Sequence, residues 1–243
     1  MGDHHRLVIH ATYHKAGTVW FKAIFTELAQ AFGWNLHLGD QKRLPPEADL
    51  WLSWHSQINF PALRTNYRCS HMIRDPRDMI VSGYFYHLWC DEGWCHVPRH
   101  QFGGRTYQEQ LLSLPKEDGL LCEIRECQKE FKRMRDWDYD NPRVMEMKYE
   151  ETILSSRQKF QELFAWYGFD NPQVAVAMDI VTKCSFEAQT KRPLGETRQH
   201  CHLRQGMPGD WRNHFGTKHV KLFRKLYPKL LGRTGYERHG VSR

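Results

Sequence analysis

The apolar run Leu7-Val8-Ile9-His10-Ala11 opens directly onto Lys15-Ala16-Gly17-Thr18, and after it Phe21, Phe25, Leu28 and Phe32 recur at helical spacing. That order reads as a strand, a tight loop and a helix, with Gly33 a natural C-cap. The same grammar returns at Ser70-His71-Met72-Ile73, followed by Arg74-Asp75-Pro76. Here Asp75 is placed to cap a helix and Pro76 to open it, with Met79, Ile80 and Val81 on the helix. A third strand is expected at Val144–Met147, after Asn141-Pro142 and before a helix from about Ser155 to Tyr167. Further helices are expected at Tyr107–Leu114, Leu120–Trp137, Gln173–Lys183 and Lys218–Leu231. Strands alternating with helices imply an α/β fold, a central parallel sheet with helices on both faces. Ligands of such sheets bind outside the carboxyl ends of the strands, so the loops at Lys15, Arg74 and Tyr149 are expected to converge on one crevice.

No repeat, low-complexity segment or linker interrupts the 243 residues, which read as one domain over 1–243. The chain is 40% hydrophobic and 13% aromatic, enough for a sizeable core. Its net charge of +7 favours anionic partners, nucleotides among them, and is equally compatible with a solvated basic surface. No apolar run approaches the ~18 residues of a membrane helix. The segment Leu7 to Ile9 is too short for a signal peptide, and Arg6 breaks the myristoylation pattern after Gly2. Seven cysteines without a secretion signal suggest reduced thiols in a cytoplasm. A zinc site built from His87, Cys90, Cys95 and His96 fits no structural zinc spacing, and no metal is expected.

Three segments carry chemistry. At Thr12 to Trp20, the loop before a helix offers unpaired N–H groups and the positive end of the helix dipole, Gly17 permits close approach of a phosphate, and Lys15 adds a charge. The lysine precedes the glycine, so this is not the glycine-lysine-serine/threonine loop of nucleotide triphosphatases; the plain alternative is an ordinary turn with a surface lysine. In Arg74-Asp75-Pro76-Arg77-Asp78, a guanidinium at a strand end and Ser82 two turns into the helix together suit a phosphate monoester. Alternatively, Asp75 and Pro76 only start a helix, and Arg77 and Asp78 are solvated. The segment Leu203 to Phe215, with two glycines, a proline, Arg204 and Arg212, reads as a lid over a nucleotide.

Taken together, these segments resemble the family of sulfotransferases that use 3′-phosphoadenosine 5′-phosphosulfate (PAPS). Lys15 to Trp20 resembles its 5′-phosphosulfate loop, Ile73 to Ser82 its 3′-phosphate motif, and Arg204 to Phe215 its late glycine-rich signature, in family order over nearly the whole chain. The resemblance implies a fold like that of P-loop nucleotide triphosphatases and transfer of a sulfuryl group to a hydroxyl or amine of a small-molecule or carbohydrate acceptor. Adenosine 3′,5′-bisphosphate (PAP) would be the product. It implies that Lys15, Ala16, Gly17, Thr18 and Val19 surround the 5′-phosphosulfate, with Trp20 against the adenine. Arg74, Ser82, Arg204, Gln205 and Gly206 would hold the 3′-phosphate, and Tyr149 and Phe186 would contact the base. His55, in Trp51-Leu52-Ser53-Trp54-His55, resembles the family's catalytic histidine at a strand end, and Lys15 would share the catalytic work. A neutral imidazole can take a proton from an alcohol near neutral pH. Fifteen histidines make a strand-end histidine easy to find by chance.

The chain departs from the pattern at His14, Ala16, Val19, Ser53, Cys184 and Gln205, where proline, serine, threonine, lysine, threonine and lysine are usual or common. These changes bear on donor affinity and release. The chain begins almost at the first strand, so the N-terminal segment that covers the acceptor in the family is expected to be missing. Trp89 to Tyr107, with Trp89, Trp94 and Phe102, is expected to line the acceptor site or form a small core. Competing readings are a magnesium-dependent small-molecule kinase, an inactive nucleotide-binding relative, and a nucleic-acid binder, which explains none of the three segments. Neither a nucleic-acid partner nor a membrane span is expected, and the sequence does not fix the oligomeric state.

Overall fold

The computed structural model describes residues 6–63, 66–198 and 200–237. In chain order the first elements are β1 (Arg6–Thr12), α1 (Thr18–Phe32), β2 (Leu36–Leu38), β3 (Leu50–Ser53), β4 (Asn66–Ile73) and α2 (Pro76–His87). Then come α3 (Tyr107–Leu112), α4 (Lys116–Glu126), α5 (Gln128–Asp136), β5 (Val144–Lys148), α6 (Tyr149–Leu154) and α7 (Ser156–Tyr167). The last are α8 (Asn171–Lys183), α9 (Phe186–Thr190), α10 (Thr217–Leu226) and α11 (Leu230–Thr234). These elements gather into two compact units, one of residues Met1–Arg74 and Asp136–Leu194, the other of Asp75–Arg135 and Gly195–Arg243.

The first unit is built on a five-stranded sheet in the order β2-β3-β1-β4-β5, and every pairing is parallel. β1 lies at its centre, buried from Leu7 to Thr12, which is why its sequence is a continuous apolar run without alternation. Its side chains still divide by the period of two. Leu7, Ile9 and Ala11 join Trp51, Tyr67, Cys69 and Trp137 on one face. Val8 joins Leu50, Leu52, Met72 and Met147 on the other, beneath Phe21, Phe25 and Leu28 of α1, Phe160 and Phe164 of α7 and Ile180 of α8. Each large side chain buried there contributes about 1.5–3 kcal/mol.

His10 belongs to this core. Its ring stacks on Phe21, and its Nδ1 is 2.6 Å from the Ser70 hydroxyl, which is itself 2.6 Å from the Tyr167 hydroxyl. Burial, with His71 nearby, pushes the His10 pKa well below its ordinary value, so the ring is neutral.

In the second unit α2, α3 and α10 pack against α4. The buried Glu123 carboxylate accepts from the Tyr107 hydroxyl at 2.6 Å and lies 3.0 Å from His87 Nδ1.

Two expected helices are broken. Leu120–Trp137 is instead α4 and α5, separated at Cys127, whose ψ of 1° leaves the helical range. Lys218–Leu231 is instead α10 and α11. Pro228 has no N–H to donate and disfavours helical geometry at the residue before it, and Tyr227 adopts φ −129°, ψ 55°. Strands β2 and β3 were not read from the residue pattern. Among the described residues no helix is long and apolar enough to cross a membrane.

Candidate functional site

In the first unit the site begins at the carboxyl end of β1. The Tyr13 carbonyl accepts from the Ala16 N–H and the Thr18 hydroxyl, both at 3.0 Å, and the Thr12 hydroxyl donates to the Ala16 carbonyl at 3.1 Å. Such a tight turn requires left-handed backbone twice, at Lys15 (φ 65°) and at Gly17 (φ 97°), the N-cap of α1. A side chain at Gly17 would also crowd its neighbours, since a Cβ there would lie 3.0 Å from Met72 Sδ and 3.5 Å from the Tyr149 ring. Directly after it, α1 starts with no acidic residue in its first turn. The positive end of a 15-residue helix is therefore delivered to the loop without an internal counter-charge.

Arg74, buried at the end of β4, donates to the Lys15 carbonyl at 3.0 Å and lies over the Tyr149 ring at 4.5 Å. The loops at Lys15, Arg74 and Tyr149 thus meet at one end of the sheet, as the parallel order requires. Trp20 is only 6% exposed and packs edge-on against Phe160 within the core, so most of its ring is spent on packing. Phe186 is buried at the start of α9, with the Arg192 guanidinium 5.4 Å from its ring.

His55 is exposed, in the turn that follows β3. Ala11 is the register partner of Ser53, so this turn leaves the sheet beside the Lys15 turn. Ser56, left-handed at φ 49°, ties the two together by donating from its hydroxyl to the Thr12 carbonyl at 3.1 Å. Nothing in the residue pattern marked Ser56 for this role.

In the second unit, the Asp75 carboxylate caps α2. It accepts from the Arg77 backbone N–H at 2.9 Å and from the Arg77 guanidinium at 2.8 and 2.6 Å. Arg77 lies over Trp211 at 3.9 Å. Asp78, 1% exposed, accepts from the backbone N–H groups of Gly209 at 2.6 Å and Trp211 at 2.8 Å. The alternative of a solvated Arg77 and Asp78 does not hold: both are buried and anchor the glycine-rich segment. Ser82 is half-buried on α2.

The glycine-rich segment is not a bare loop, since Asp210–Asn213 forms a short 3-10 turn. Arg204 pairs with Asp210 and lies over Phe85 at 4.5 Å. Burial alone would raise the Asp210 pKa, but hydrogen bonds from His214, Arg204 and Asn213 outweigh it and hold the carboxyl well below its usual range. The Gln205 carbonyl accepts from the Gly195 N–H at 2.9 Å, and Gly206 is left-handed at φ 75°. Among the described residues no group of three or more His, Cys, Asp or Glu is arranged to hold a metal ion.

Comparison with known proteins agrees with this architecture. Mouse sulfotransferase 2A1 is 24% identical to the chain over 250 residues, covering 90% of this chain and 82% of that protein. The solved structure of mouse sulfotransferase SULT7A1 complexed with PAP superposes with a TM-score of 0.57 at 15% identity, covering 96% of this chain and 89% of that one. Retinol dehydratase in complex with androsterone and inactive cofactor PAP superposes with a TM-score of 0.53 at 14% identity, covering 92% and 80%. These superpositions establish the fold. The model of the sulfotransferase domain matches residues 53–235, well over half of the sequence, and the chain belongs to that family.

Proposed function

We propose that the chain transfers a sulfuryl group from PAPS to a hydroxyl or amine of a small-molecule or carbohydrate acceptor in the cytoplasm. The observation that carries this is the Lys15 turn, where a doubly left-handed backbone, an α1 start free of acidic residues and the buried Arg74 come together. These groups fit a dianionic nucleotide end. Gly17 supplies the left-handed turn into α1, and the N–H groups that begin α1 complement negative charge. The donor supplies the transferable sulfuryl group.

In this reading Lys15 and the N–H groups of Gly17, Thr18 and Val19 stabilise charge developing at the leaving phosphate, usually the largest catalytic contribution. Ala16 belongs to the same loop, and the adenine would lie against Trp20. Arg74 and Ser82, with Arg204, Gln205 and Gly206, take the 3′-phosphate, while Tyr149 and Phe186 contact the base. Support for these roles comes from the order of the three motifs and, for Arg74, from its fixed guanidinium. His55 removes the acceptor proton; its exposure on the turn beside the Lys15 loop supports that role. Retinol dehydratase was crystallised with androsterone and with retinol, which favours a small-molecule acceptor here.

Calorimetric titration with PAP, beside AMP and ATP and with and without Mg²⁺, tests the donor site. Metal-independent binding that needs the 3′-phosphate and collapses in Arg74→Ala is expected. Absence of binding, or a magnesium-dependent preference for ATP, refutes the proposal.

A further inference from the structure

Cys90 and Cys95 flank a short surface turn in the second unit. Both are reduced, at 2% and 0% exposure, and the Cys90 thiol donates to Cys95 Sγ across 3.3 Å. Among the described residues no other pair of the seven cysteines makes such a contact. The turn between them is already held in one shape. The Cys95 N–H donates to the Glu92 carbonyl at 2.9 Å, His96 Nε2 lies 3.0 Å from the Cys90 carbonyl, and Gln108 donates to that same carbonyl at 2.9 Å. The Glu92 carboxylate in turn accepts from the Tyr86 hydroxyl at 3.0 Å and from Trp94 Nε1 at 2.6 Å.

We infer that Cys90 and Cys95 form a dithiol that a low-molecular-weight disulfide oxidises to an intramolecular disulfide. A disulfide needs its sulfurs about 2.0 Å apart, so closing the pair takes a shift of roughly 1 Å with the turn otherwise in place. One thiol loses its proton and attacks the oxidant, forming a mixed disulfide and releasing one small thiol. The second protein thiol loses its proton and attacks the protein sulfur of that mixed bond, releasing the other small thiol. Two protein thiols are oxidised, one small disulfide is reduced, and the two protons leave on the released thiols.

Access and acidity set the rate. Asp91, Gly93, Trp94 and His96 are exposed, so opening this one turn uncovers the sulfurs without unfolding the helices on either side. Burial, reinforced by the charges of Glu92 and Glu123, pushes the Cys95 thiol well above its ordinary pKa. Oxidation is therefore slow at neutral pH and accelerates as pH rises. A sulfur whose thiolate is disfavoured is also a poor leaving group, so the closed bond resists reopening.

The test uses the full chain in buffers of graded oxidised to reduced glutathione, followed by alkylation, tryptic cleavage and mass spectrometry. Cleavage after Arg77 and Arg99 yields a peptide in which Cys90 and Cys95 are the only cysteines. As the oxidised share rises, that peptide is expected to appear two hydrogens lighter and without alkyl groups. In Cys90→Ser the same buffers should leave Cys95 carrying one glutathionyl group. If the wild-type peptide instead keeps two alkyl groups, or gains two glutathionyl groups, while the half-buried Cys122 and Cys201 are oxidised, the inference is wrong. None of these readouts depends on sulfuryl transfer.

Discussion

Gly17→Ala separates two costs that the structure assigns to one residue. The first is conformational: at φ 97° an alanine pays about 1–3 kcal/mol for a backbone that L side chains avoid. The second is steric, because the new Cβ would sit 3.0 Å from Met72 Sδ and 3.5 Å from the Tyr149 ring in a packed core. Overpacking of this kind adds about 1–3 kcal/mol, some of it relieved by movement of the flexible Met72 side chain. Gly33 supplies the control. It is also left-handed, at φ 67°, but a Cβ there meets nothing within 4 Å. Gly33→Ala should thus cost only the conformational part, about 1–2 kcal/mol. The prediction is that Gly17→Ala lowers stability by about 2–5 kcal/mol, roughly 4–20 °C in Tm for a chain of this size, and exceeds Gly33→Ala by at least ~1 kcal/mol. Thermal unfolding of the two variants beside the wild type, with PAP titrations on each, makes the comparison. PAP affinity should fall in Gly17→Ala and stay unchanged in Gly33→Ala. Equal losses of stability with equal PAP affinity would refute the claim that the turn is shaped by close approach.

Three other outcomes follow from the same geometry. His55→Ala should lower kcat by about 10²–10⁴-fold while PAP binds as in the wild type, since the side chain is exposed and outside the core; near-normal turnover would remove it from the mechanism. Asp78→Asn should cost about 2–4 kcal/mol in denaturant unfolding, because the amide replaces a carboxylate that accepts two buried N–H groups; a loss below ~0.5 kcal/mol would mean that Asp78 does not anchor the glycine-rich segment. Asp210, with its pKa held low in the folded chain, contributes stability that is complete above the unfolded carboxylate value of about 4 and is lost as pH falls from there toward the folded value. Asp210→Asn should therefore show a shallower decline in Tm below pH ~4 than the wild type, and an identical decline would contradict the ion-pair account.

What the sequence disclosed depended on how local the cause was. β1 was legible because burial on both faces leaves an unbroken apolar run, and α2 because Asp75 and Pro76 mark its start. Pro228 also gave a local signal, but the apolar periodicity continues through Leu230 and Leu231 and hid the break. β2 is three half-buried residues at the sheet edge, too short to carry a period. At the site the same rule holds. The glycine and lysine of the first loop could be read because a strand-to-helix turn constrains its own residues.

The burial of Arg77 and Asp78 could not be read in this way, because it is created by partners far along the chain. Asp78 meets the N–H groups of residues 131 and 133 positions away, and Arg77 is covered by Trp211. Isolated from those partners, two adjacent charges at the start of a helix are indistinguishable from a solvated face. His55 presents the converse difficulty. His10 and His71 lie within strands of the same sheet, and both are fully buried, His10 against Ser70 and Phe21 and His71 against Glu146 and Trp137. Only the fold separates those two structural rings from the one left exposed beside the Lys15 turn, because exposure at a strand's carboxyl end is a property of register and no property of the histidine itself.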